Sequence, residues 1–224
     1  RSSQRTENLP QPAATTSEPA ANSEARKTPA EQELQALAGE GVRLLKLANW
    51  DEALTAFDLA LVELPKLDTP SGDLEQSLHF HRGRALEQLK RNEEALTEYQ
   101  TCQAERFVTR MNPWPQLAAF HQGGLLITLG RKAEGIDLLK SVLDRRPHLP
   151  GPMQLEALHL VAGTYHGTGG HTQGLSFAEQ GVSLAQRNRQ PIAEARMLRV
   201  AARCQMALGR PDDALVSLQR ALDH

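Results

Sequence analysis

The sequence has little of what usually announces a chemistry. Aromatic residues make up 4% of its 224 positions and cysteine occurs twice. The longest apolar runs fall far short of the roughly 18 residues that a membrane span requires, which excludes helical insertion into a bilayer. Basic and acidic side chains nearly cancel, 25 against 27, so no whole-chain field gathers nucleic acid or anionic lipid, and direct nucleic-acid binding is not expected. Cys102 and Cys204 stand in no metal-ligand spacing and lie in distant parts of the chain, so two buried thiols are expected rather than a disulfide. A Gly-rich phosphate loop, a nucleophile motif and a paired acid and base are all missing. The sequence therefore predicts no enzyme and no cofactor.

What is present is repetition. The stretch 49–65, NWDEALTAFDLALVELP, reads as one helix, with Asn49 placed to cap it, Glu52 to complete a capping box and Pro65 to stop it. Gly41, eight residues before Asn49, lies in a preceding helical pattern, so the unit is helix-turn-helix. It returns four times. Gly41 and Ala53 recur as Gly83 and Ala95, 42 residues on, and later copies follow at offsets of 40, 39 and 40. A unit repeated at such a period predicts an all-α solenoid of about five helix pairs, over about 30–66, 73–109, 113–147, 151–188 and 191–224. The recurring small residues have a packing reason, because two antiparallel helices come close only where Gly or Ala faces a large side chain.

Ahead of the array, residues 1–28 are rich in Pro, Ala, Ser, Thr and Glu, with one Leu and no aromatic. Such a segment buries too little apolar surface to offset chain entropy, and it reads as a linker to an upstream domain or membrane anchor. The chain opens on Arg1 without an initiator Met. The compartment expected is cytoplasmic, with anchoring to the cell envelope through an upstream segment as the alternative. Order is predicted to begin at Thr28-Pro-Ala-Glu31, another capping box.

These slots resemble the tetratricopeptide repeat. In the first unit they are Leu37, Gly41, Leu44, Ala53, Phe57, Ala60 and Pro65, and in the second His79, Gly83, Leu86, Ala95, Tyr99 and Cys102, with Phe107 where Pro would fall. The third gives Ala119, Gly123, Leu126, Gly135, Leu139, Val142 and Pro147; the fourth Leu158, Ala162, Tyr165, Gly174, Ala178 and Gly181; the fifth Leu198, Ala202, Gln205, Ala214, Leu218 and Ala221. The period of about 40 exceeds the family's usual 34, as in the longer repeats of bacterial regulatory and scaffold proteins. The resemblance implies a right-handed superhelix whose concave wall is formed by the first helix of each unit and whose ligands are proteins or peptides. It also implies a closing helix. The chain ends at His224 just after the fifth pair, so Leu215, Leu218 and Leu222 are expected to seek a partner, through a longer array or a homo-oligomer.

On the implied wall, the side chains that the packing slots leave over are the candidate partner-binding residues. They are Phe80, His81 and Arg84, Phe120 and His121, His159 and His166, and Arg196, Arg199 and Arg203. With Lys46, five cations on this wall face only Glu87 and Glu156, a local net of +3 in a chain of net −2. Arginine forks bind carboxylates bidentately, so the partner predicted is an acidic peptide or helix, with the two Phe as apolar anchors. The histidines suggest sensitivity to pH rather than metal, since His159 and His166 are seven apart and helical metal pairs stand three or four apart. Two other readings compete: a sensor domain of a transcriptional or signalling protein, and an assembly scaffold.

Overall fold

The structure, a computed structural model, describes residues 28–67, 71–104, 112–145 and 149–223. Residues 1–27 of the predicted linker over 1–28 and the slots of Phe107 and Pro147 lie outside these. The described residues form ten α-helices and no strand. They are α1 (Pro29–Lys46), α2 (Trp50–Glu63), α3 (Gly72–Gln88), α4 (Asn92–Cys102) and α5 (Trp114–Thr128), then α6 (Lys132–Asp144), α7 (Gly151–Gly167), α8 (His171–Arg187), α9 (Pro191–Ala207) and α10 (Pro211–Leu222). They pair as five repeats, each packed on the next. The extra length of the unit goes into 17-residue helices, as in α7 and α8.

The predicted capping box at Thr28 forms, with Thr28 Oγ1 accepting from Glu31 N at 3.2 Å and Thr28 N donating to the Glu31 carboxylate at 2.6 Å. The one predicted at Asn49 does not, because Asn49 makes no side-chain cap bond. The turn is closed from the other side. Ala48 takes a left-handed backbone, φ 61°, and Asn49 N donates to Leu44 O at 3.0 Å, which ends α1 in a Schellman motif. The same closure recurs at Lys90, Gly130, Gly169, Arg189 and Gly209, all with positive φ. A helix whose last carbonyls are satisfied this way fixes the next helix without help from a side chain. Ala48→Gly, which removes a Cβ from a left-handed position, is expected to raise stability by about 1 kcal/mol in urea denaturation.

The packing slots are filled as the sequence suggests. A Cβ built on Gly41 would lie 2.5 Å from the Phe57 ring, on Gly83 2.8 Å from Tyr99, and on Gly123 2.7 Å from Leu139. Phe57, Tyr99, Leu139 and Ala178, the same slot in four repeats, are fully buried. Pro65 opens a 3₁₀ turn, Leu64–Lys66, directly after α2.

Candidate functional site

Successive first helices touch directly, α1 on α3, α3 on α5, α5 on α7 and α7 on α9. Successive second helices are kept apart by the first helix that lies between them. The array therefore curves with α1, α3, α5, α7 and α9 along its inner wall, and the question is what these helices expose there.

In the N-terminal half the wall holds a polar network over an aromatic floor. Tyr99 Oη donates to Glu87 Oε2 at 2.6 Å, His121 Nδ1 lies 3.4 Å from the same carboxylate, and Arg84 Nη1 is 3.2 Å from His121 Nε2. Because guanidinium can only donate, His121 Nε2 accepts and its proton sits on Nδ1, facing Glu87. Burial alone would raise Glu87, but His121, Tyr99 and Arg84 outweigh it and hold the carboxyl below its ordinary value. His121 is itself held low by burial. Next to it, His81 is enclosed by aromatic rings, with centroids 5.1 Å from Phe80, 5.2 Å from Trp114 and 5.9 Å from Phe57, nearly parallel to the last. Burial, then the charges of Arg84 and Lys46, push its pKa down to about 4.

The C-terminal half is cationic. A hollow of about 250 Å³ lies between α7 and α9, lined by Leu155, Glu156, His159, Ala193, Arg196 and Met197. Arg196 Nη2 reaches Glu156 at 3.1 Å. Arg199 and Arg203 are exposed and have no carboxylate partner among the described residues. His159 is held below its ordinary value first by burial and then by Arg196, Arg199 and Arg203, against which only Glu156 acts. His166, 5.2 Å from His171, is lowered by burial and by Arg203. Both cysteines are buried and free, and among the described residues no group of three His, Cys, Asp or Glu is placed to hold a metal ion.

A profile of the tetratricopeptide repeat matches residues 38–106. Among solved structures, the chain superposes with a TM-score of 0.69 on a Podosopora anserina protein described as a kinesin light chain with nearly identical TPR-like repeats, at 17% identity over 88% of this chain and 96% of that one. The chain folds as a solenoid of tetratricopeptide-like repeats. Its repeats also superpose on residues 41 to the end of MamA from Desulfovibrio magneticus RS-1, with TM-score 0.66, 14% identity and coverage of 85% and 94%. A third likeness is to YrrB, described as a TPR protein with an unusual peptide-binding site, with TM-score 0.61, 16% identity and coverage of 87% and 92%. No curated protein matches the sequence.

In this tetratricopeptide-repeat array not every candidate residue lies on the wall. His81, Arg84, His121, His159, His166 and Arg196 are partly exposed on the first helices, and Arg199 and Arg203 are exposed. Phe80 and Phe120, predicted as groove anchors, are buried, 5% and 9% exposed. They pack across the boundary to the next repeat: the Phe80 ring lies 5.7 Å from His121 and 5.3 Å from Trp114. Their spacing carried the signal. Phe80, Phe120, His159 and Arg199 are 40, 39 and 40 residues apart, one slot in four repeats, and a slot that keeps its register faces the neighbouring repeat. A second network was not predicted at all. Buried Glu98 accepts from Arg82 at 2.5 Å and pairs with His79 Nδ1 at 2.7 Å, while Arg82 also reaches Asp58 at 2.6 Å, tying α2, α3 and α4 together. The paired charges of Arg82 and Glu98 act here as a structural joint.

Proposed function

We propose that this chain is a non-catalytic protein-interaction module that holds an acidic peptide or partner helix along the wall of first helices. The observation that carries this reading is the cationic C-terminal half of that wall, where Arg196 has one carboxylate partner, Glu156, and Arg203 has none among the described residues. The depressed His159 beside them reports the same positive field. An incoming carboxylate meets guanidinium forks already positioned by a helix, the arrangement that charge-assisted bidentate pairing requires. The peptide-binding site named for YrrB lies on the same kind of fold and lends the reading support.

The test is fluorescence anisotropy with an extended Glu- and Asp-rich decapeptide at low salt. Wild type is expected to bind it, and Arg84→Glu/Arg196→Glu to bind it at least tenfold more weakly, since hydrogen bonds to charged groups contribute about 1.5–3 kcal/mol each. The affinity should also fall steeply with ionic strength. Equal affinity for wild type and the double variant would reject the wall as the binding surface.

A further inference from the structure

Where one first helix packs on the next, a slot of the earlier helix meets a slot of the later one. The earlier slot holds Phe80 in α3, Phe120 in α5 and His159 in α7. The later slot holds Trp114 in α5, Met153 in α7 and Ala193 in α9, which keep the same register, 39 and 40 residues apart. Between α3 and α5 the pair is Phe80 with Trp114, ring centroids 5.3 Å apart. Between α5 and α7 it is Phe120 with Met153, packed in one apolar cluster. Between α7 and α9 it is His159 with Ala193, and there the hollow of about 250 Å³ opens, with both residues in its lining. Large side chains that fill the two earlier boundaries are replaced at this one by an imidazole and a methyl, and the space they would occupy is left over.

We propose that this hollow receives one large apolar side chain, of the size of Phe, from the segment bound along the wall, with an acidic neighbour of that residue paired to Arg196. The proposal rests on the reading of the wall as a surface for an acidic segment and adds the anchor that fixes its register. The chain itself shows what suits the place, since the equivalent boundaries are closed by Phe80 with Trp114 and by Phe120 with Met153. The floor is apolar: Leu155 and Met197, 4% and 1% exposed, line it. The rim is charged. Arg196 Nη2 donates to Glu156 at 3.1 Å, with the two side chains 41% and 40% exposed. A guanidinium carries more donors than this one bond uses, so a ligand carboxylate beside the inserted side chain finds N–H groups still available.

The hollow does not arise from the end of the array, because both of its walls are described helices. α9 turns Ala193, Arg196 and Met197 toward α7, and Ile192, Ala195 and Arg199 toward α10. A helix stacked after α10 would meet the second set and leave the first as it is. Residues 1–27 offer a single large apolar side chain, Leu9, which stands between Asn8 and Pro10 and so lacks the acidic neighbour. A volume of about 250 Å³ admits one side chain and excludes a whole helix.

Two decapeptides of Glu and Asp serve as probes, one with Phe at a central position and one with Ala there, and their binding to the full chain is measured by fluorescence anisotropy. The Phe peptide is expected to bind at least tenfold more tightly, the gain that burying one such side chain supplies. Ala193→Met places in α9 the residue that α7 has in this slot. It should fill the hollow and bring the ratio of the two affinities to about one, with a melting temperature no lower than that of wild type. His159→Phe, which restores the side chain of the slot in α3 and α5, should remove the preference from the opposite wall. Equal affinity of wild type for both peptides would overturn the pocket and leave the acidic-peptide reading of the wall standing. Binding of neither peptide would overturn both readings. A preference for Phe that survives Ala193→Met and His159→Phe would put the anchor elsewhere and overturn the proposal as well.

Discussion

Gly135→Ala is expected to destabilise the array by about 3 kcal/mol and to lower its melting temperature by roughly 10 °C. A Cβ at this position would lie 2.6 Å from the carbonyl oxygen of Gly123, 2.7 Å from Ile127 Cγ1 and 3.1 Å from Ile127 N. Two of those atoms are backbone, so relief requires α5 and α6 to move apart, and the repeats on either side are seated on that pair. Gly163→Ala provides the contrast. It lies in the interior of α7 with nothing within 4 Å of its would-be Cβ, so the helix propensity gained should raise stability by about 1 kcal/mol. Thermal denaturation of the two variants beside wild type gives shifts of opposite sign if close helix approach is what the glycine slots enforce. A neutral Gly135→Ala would show that α5 and α6 are not held at that distance.

Stability should also fall as the solution is acidified, well before most carboxylates titrate. His81 has an ordinary pKa of 6.5 in the unfolded chain and about 4 in the fold, where rings of Phe57, Phe80 and Trp114 exclude water and Arg84 and Lys46 oppose a further charge. Between those two values the unfolded chain takes up a proton that the folded chain refuses. The contribution is therefore complete above pH 6.5 and is lost as pH falls toward 4. From pH 7 to pH 5 the loss amounts to about 2 kcal/mol from His81 alone. His121 and His159, lowered chiefly by burial, act in the same direction. Urea denaturation at pH 7, 6 and 5 measures the slope, which His81→Gln should reduce. A wild-type midpoint that does not move over this range would contradict the burial of a neutral His81.

The histidines illustrate how a residue can be found and yet misjudged. Sequence reading picked out His81 and His121 because the packing slots did not account for them, and it placed them on the wall as groups that titrate near neutrality. Both do lie on the wall side of their helices. Each is also the cover of the preceding repeat's large side chain, which explains why they are buried and held neutral rather than poised near pH 7.

What the sequence determined by itself is the all-helical repeat, its register and its close contacts. Gly41 with Phe57, Gly83 with Tyr99 and Gly123 with Leu139 are local pairs sixteen residues apart, and a contact between neighbouring helices recurs at a period that can be read from one chain. The turns were legible in position but not in mechanism, since the left-handed residue is Ala48 or Lys90 as readily as Gly130, and no side-chain pattern marks it. Only the tertiary structure decided which leftover side chains face solvent. Phe80 and Arg199 hold the same slot, yet Phe80 is sealed because α5 packs on α3, while among the described residues no further first helix packs on α9 beyond α7. Burial is set by the neighbouring repeat, and that neighbour is a property of the assembled array rather than of the residue.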